Sequence, residues 1–210
     1  LEVTAPAWVR VEIAGHEASV QVEGIEGGIR VHTSEGDIAL TDVAGGVEAR
    51  TFEGTITVER GRGEFVLASV DDDVRLQGVS GRVRAETTDG DVRMTEMDAD
   101  FVEASTLDGE VLYHGRVHRS GEYRLTSHDG DLLFAPLGPF DASVTVQTYD
   151  GELRGDLPVT LRRMGEDGMV FVAGEGGATV VLRTFDGDVR LSRSGSVPGR
   201  RPQQNDEEAR

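Results

Sequence analysis

The stretch VRAETTDGDVRM, residues 83–94, decides the fold. Val83, Ala85 and Thr87 fall on one face, Asp89-Gly90 interrupts, and Val92 and Met94 resume the alternation. A two-residue period is that of a half-buried strand. The segment therefore reads as two short strands joined by an Asp-Gly turn, and no helical period appears anywhere in the chain.

The same phrase recurs outward from this stretch in both directions. With the turn glycine as position zero, copies stand at 18, 36, 54, 72, 90, 109, 130, 151, 168 and 187, a repeat of mostly 18–21 residues. The residue before zero is acidic in every copy, from Glu17, Glu35, Glu53 and Asp71 through Asp150, Asp167 and Asp186. Two residues after it stands an aliphatic, as in Ile38, Ile56, Val74 and Val189, and seven before it an apolar residue, as in Val47, Phe65, Tyr123 and Leu161. Three before it, most copies carry Ser or Thr, including Thr33, Thr51, Thr87, Thr148 and Thr184. One such unit cannot bury its own apolar face, whereas stacked units share a continuous core.

The spacing predicts a single elongated all-β solenoid of about ten coils over residues 1–193, right-handed, with residues 1–28 as an N-terminal capping coil. WVRVEI, residues 8–13, is expected to guard that end against edge-to-edge association. Asp-Gly between alternating strands is also a hairpin signal, and ten hairpins would give a barrel or β-roll; the constant repeat length favours stacking. Longer coils over 109–151, with LGPFD at 137–141, predict bulging loops, and the copy at 168 reads as a degenerate coil. Residues 194–210 are polar and proline-containing, the composition of a disordered tail.

Composition narrows the function classes. The 39 acidic and 21 basic residues give a net charge of −18, which argues against nucleic acid or an anionic membrane surface as a direct partner. No apolar run approaches the ~18 residues of a membrane span, so direct membrane insertion is not expected. The absence of Cys excludes disulfides, thiol nucleophiles and Cys-ligated zinc. Gly accounts for 28 residues, about twice the usual ~7%.

The units VEARTFEGTITV and VRAETTDGDVRM, with Ala5-Pro6 ahead of the first strand, resemble the bacterial adhesin-like β-strand-repeat family, a domain of unknown function. The resemblance spans roughly residues 3–193. It implies a β-solenoid placed outside the cytoplasm, periplasmic, cell-surface or secreted, with a signal or anchor expected beyond these 210 residues. It carries no catalytic residues, so none are transferred to this chain.

Two columns are candidate sites. At position −2, Phe52, Val70, Leu107, His128, Tyr149 and Phe185 point away from the core by alternation and form a candidate partner-binding rim. The acids Asp71, Asp73, Asp89, Asp91, Asp108, Glu110, Asp129 and Asp131 form a candidate calcium ladder, since hard cations take oxygen ligands. Against this, Asp favours such turns for local reasons, Arg75, Arg93, Arg154 and Arg190 stand ready to neutralise it, and the nine-residue period of calcium β-rolls is missing. No other cofactor is expected. The acids recur evenly instead of forming one tuned acid–base pair, so enzymatic function is not expected. The reading is a display or interaction module of the cell envelope for a protein, glycan or cationic peptide partner. The alternatives are a bactofilin-like self-assembling scaffold and a polysaccharide-processing β-helix enzyme, whose groove could lie only over 109–141.

Overall fold

The computed structural model describes residues 3–165 and 168–193; the tail expected over 194–210 and the repeat acid Asp167 lie outside the described residues. Among the described residues the chain is all-β, with seventeen strands and no helix. The strands β1 (Val11–Ala14), β2 (Val20–Glu23), β3 (Ile29–His32), β4 (Ile38–Arg50), β5 (Ile56–Ala68) and β6 (Val74–Gln77) open the winding. They are followed by β7 (Ser80–Glu86), β8 (Val92–Ser105), β9 (Val111–Gly115), β10 (Glu122–Thr126) and β11 (Leu132–Pro136).

These elements build two parallel stacks facing each other across one core. The first runs β1–β3–β4–β5–β7–β8–β10. The second runs β2–β4–β5–β6–β8–β9–β11. Equivalent repeat positions pair directly, as in Val47 with Phe65 and Ile56 with Val74. The result is a β-solenoid of about seven turns wound in chain order. Parallel pairing excludes the barrel of hairpins for these turns.

The alternation works as read. Val83, Ala85, Val92 and Met94 are all buried, as are their equivalents in neighbouring turns. A further buried column comes from the second corner: Ile25, Val43, Val79 and Met97. One position earlier, Gly24, Asp42, Arg60, Gly78 and Glu96 all have positive φ. That left-handed residue turns the strand and shifts the parity by one, so simple alternation hides the column. Arg60 is held there by a bidentate pair to Asp42 one turn below, Nε to Oδ1 at 2.7 Å and Nη2 to Oδ2 at 2.9 Å.

The wider turns after residue 109 enclose an aromatic cluster. Tyr113 stacks on Phe134 with centroids 5.4 Å apart and meets Tyr123 edge-on at 5.3 Å. Their hydroxyls hold the enlarged corner between β9 and β10. Tyr113 Oη donates to the Arg116 carbonyl at 2.6 Å, and Tyr123 Oη donates to the Ala99 carbonyl while accepting from His118 N–H.

The remaining strands are β12 (Ala142–Asp150), β13 (Leu153–Gly155), β14 (Thr160–Gly165), β15 (Gly168–Ala173), β16 (Ala178–Asp186) and β17 (Val189–Leu191). They depart from the expected ten sequential coils. β16 lies between β10 and β12, and β17 between β11 and β13, all parallel. The last repeat in sequence is thus inserted beneath the one that precedes it by 36 residues. LGPFD supplies the extra reach, because climbing two levels of ~4.8 Å is within the span of five residues. The degenerate copy at 168 is no coil. β14 and β15 form an antiparallel hairpin, and β15 lies antiparallel on the outer edge of β12 over Ala142–Val146. Leu161, expected inside, is accordingly half-exposed. β1 is the edge strand of the N-terminal end, and among the described residues its one strand partner is β3.

Paired cysteines test the insertion, since the chain has none of its own. Arg124 pairs with Val181, which in turn pairs with Thr145. Arg124→Cys with Val181→Cys is therefore expected to crosslink on oxidation and Arg124→Cys with Thr145→Cys is not; sequential stacking would reverse the two outcomes.

Candidate functional site

Every repeat presents the same four-residue turn, and its side chains divide sharply by role. The Ser and Thr column at −3 is buried and structural. Each hydroxyl donates to the zero-position carbonyl of the turn below: Ser69 to Gly54 at 3.1 Å, Thr87 to Asp72 at 2.8 Å, Thr106 to Gly90 at 2.9 Å and Ser127 to Gly109 at 3.0 Å. The ladder also records the insertion, as Thr184 donates to Gly130 and Thr148 to Gly187. At position zero a Cβ on Gly130 would collide with the Gly109 carbonyl, and one on Gly187 with that of Gly130. The glycine column is what lets successive turns approach to hydrogen-bonding distance.

The acidic columns are unlike each other. At +1 the carboxylates are used by the stack. Asp73 Oδ1 accepts from Asp91 N–H at 2.8 Å, Asp91 from Glu110 at 2.7 Å, Asp131 from Asp188 at 2.8 Å and Asp188 from Glu152 at 2.9 Å. Arginines then take the second oxygens, with Arg75 on Asp73 at 2.6 Å and Arg93 on Asp91 at 2.7 Å. Asp73, Asp91 and Asp131 of the candidate calcium ladder thus belong to this built network through their carboxylates, whereas Glu110 joins it through its backbone N–H alone. Asp71, Asp89, Asp108 and Asp129, at −1, stand on the other side of the turn. Among the described residues, no group of three or more His, Asp or Glu is placed to hold a metal ion.

The −1 column is exposed and without partners. Its backbone pairs in register, Glu17 with Glu35, Glu35 with Glu53, Asp89 with Asp108, and Asp129 with Asp186. Yet its carboxylates make no side-chain hydrogen bond or ion pair among the described residues. At ~4.8 Å spacing, adjacent unscreened charges repel by up to ~1 kcal/mol in water, and no side chain among the described residues pairs with them.

Beside it runs the −2 rim. Phe52, Leu107 and Phe185 are half-exposed and Tyr149 is 82% exposed. The insertion reorders this rim, so that His128 is followed by Phe185 and then Tyr149. His128 and Phe185 have centroids 5.0 Å apart, and Phe185 and Tyr149 stack at 4.9 Å with planes 4° apart. From Phe52 to Tyr149 the rim crosses six levels, roughly 29 Å at ~4.8 Å each. Along five turns it forms one wall of an open groove of about 700 Å³, through Ser34, Phe52, Val70, Thr88 and Leu107. The opposite wall is His32, Arg50, Ala68, Glu86 and Ser105 at −4. The sequence pattern locates the −2 wall; it reveals neither the −4 wall nor which of the two acidic columns is consumed by the stack.

Glu110 marks an irregularity in the +1 column. Partial burial raises its carboxyl above the ordinary value, aided by the nearby Asp91 and Asp131 charges and opposed by Arg93 and Arg190. A carboxyl raised on folding contributes stability below its unfolded value and loses it as pH climbs through the folded one. Glu110→Gln is therefore expected to raise the melting temperature at neutral pH, with the gain vanishing in acid. The hydroxyl ladder gives a second expectation. Thr106→Val should cost about 1–2 kcal/mol in denaturant unfolding, because it leaves the Gly90 carbonyl without its donor. Asp108→Asn, on the unpartnered column, should cost nothing and relieve repulsion.

The comparisons with known proteins agree with this architecture. No curated protein and no solved structure matches the chain. The family model described as Toastrack DUF4097, a domain of unknown function, matches residues 27–192, which cover the winding from β3 through β17. The chain belongs to the Toastrack DUF4097 family.

Proposed function

We propose that this protein is a non-enzymatic interaction module whose −2 rim and adjoining groove bind a cationic partner bearing apolar groups. The observation that carries this reading is the pairing of two exposed columns on one edge. Phe52, Leu107, Phe185 and Tyr149 present large apolar surface in line, and the neighbouring −1 carboxylates are left without partners. Apolar contact supplies affinity, and the acid column selects for positive charge and speeds encounter. Repetition adds avidity, since a partner engaging several turns at once gains effective concentration at each.

Nothing in the winding needs these side chains. The hydroxyl ladder, the glycine column and the +1 carboxylates hold the stack, while the rim rings are half or more exposed. A stacked ring pair contributes about 0.5–1.5 kcal/mol, so rim substitutions should leave the fold intact. The adhesin-like role follows as the biological form of the proposal, a rod displayed outside the cytoplasm at the bacterial envelope. A basic protein segment or cationic peptide suits the charge of −18 better than a neutral glycan does.

The test is binding of a fluorescent peptide of alternating Arg and Leu, followed by anisotropy over a range of salt. The intact chain is expected to bind, with affinity falling as salt rises. The variant Phe52→Ser, Leu107→Ser, Tyr149→Ser, Phe185→Ser should lose at least about tenfold while melting within a few degrees of the parent. Equal binding by the variant, or none by the parent, overturns the reading.

A further inference from the structure

We propose that the N-terminal end of the solenoid is an interface between two copies of this chain, joined head to head through β1. This inference is independent of the rim. In β1, Val11 N–H donates to the Gly28 carbonyl at 3.0 Å and Gly15 N–H to that of His32 at 2.9 Å. Odd residues therefore face β3, and the alternation of a parallel ladder turns the backbone N–H and C=O of Glu12 and Ala14 away from the stack. Nothing among the described residues pairs with that edge. β2 repeats the situation, with β4 as its one strand partner among the described residues.

The apolar column is uncovered at the same end. Val11 and Ile13 are only partly buried, although the residues they pair with, Ile29 and Val31, are 2% and 1% exposed. Trp8, just ahead, is 76% exposed. An open strand edge over exposed apolar side chains is a template for another chain.

The occupant follows from the two ends being different. At the far end the β14–β15 hairpin lies on the outer edge of β12, while β13 has β17 as its one strand partner among the described residues. The two ends therefore present unlike edges, and the like edges of two copies meet about a two-fold axis. A two-fold axis places β1 antiparallel to its copy. In the register that sets Val11 opposite Val11, Arg10 of each copy stands opposite Glu12 of the other. Both side chains are exposed and without an intramolecular partner among the described residues, so the pairing satisfies two charges twice over. The neighbouring register would set Glu12 against Glu12, and like charges directly opposite are disfavoured.

The experiment is sedimentation equilibrium of the 210-residue chain from low to high micromolar concentration at physiological salt. A reversible dimer is expected. Arg10→Glu and Glu12→Arg should each weaken it by about tenfold or more, and the two combined should restore it. Glu12→Pro removes an N–H that makes no bond among the described residues and that this register sets against Arg10 of the copy, so it should abolish the dimer while the dilute protein keeps its melting temperature. A monomer at every concentration overturns the proposal, as do species that grow beyond two. Single charge reversals that leave the dimer unchanged overturn the register.

Discussion

The structure depends on the close approach of one turn to the next at position zero. The carbonyl of each turn glycine sits where a Cβ of the glycine above would have to be, as Gly109 and Gly130 show. That carbonyl would otherwise be a buried acceptor at the edge of the core, and an unmade buried hydrogen bond costs about 1–3 kcal/mol. The Ser or Thr three residues earlier supplies the donor. Glycine to permit contact and a hydroxyl to satisfy it form one device, repeated at most levels; Ala18 and Asp72 take the glycine's place in two of them. The two sheets, the core columns and the constant repeat length all follow from keeping it in register.

The device also explains why the chain can break its own order without breaking the stack. Any repeat that offers glycine at zero and a hydroxyl at −3 fits on any other. Gly187 with Thr184 therefore docks on Gly130 as well as Gly151 with Thr148 would have done. Interchangeable units make topology a matter of connections, and the LGPFD loop and the β14–β15 hairpin are the connections that decide it. The consequence reaches the surface. Tyr149 and Phe185 stack as neighbours only because residues 36 apart in sequence occupy adjacent levels.

Much of this was legible in the residues. Column identity gave the solenoid, the inward residues such as Val83 and Val92, and the outward direction of Phe52 and Tyr149. Three things were not legible, for distinct reasons. Strand order after residue 136 was hidden because equivalent repeats carry no label of their neighbour. The buried corner column of Val43 and Val79 was hidden because a left-handed residue at +6 shifts the alternation, and Asp42, Arg60 and Glu96 do not announce that conformation as glycine would. The division of the acids was hidden because Asp71 and Asp73 look alike as letters. Only the geometry shows that Asp73 accepts an N–H and binds Arg75, while Asp71 does neither.

That division carries the functional argument. A fold that consumed both acidic columns would present a neutral, self-satisfied turn, and the exposed rings beside it would be isolated apolar spots. Here the stack uses one column for its own backbone and leaves the other charged. Like charges therefore stand in line at successive levels, and the hydroxyl and glycine contacts hold the turns in register beside them. In the proposed role, a cationic partner lying along the rim would meet one more of them with each turn it engages.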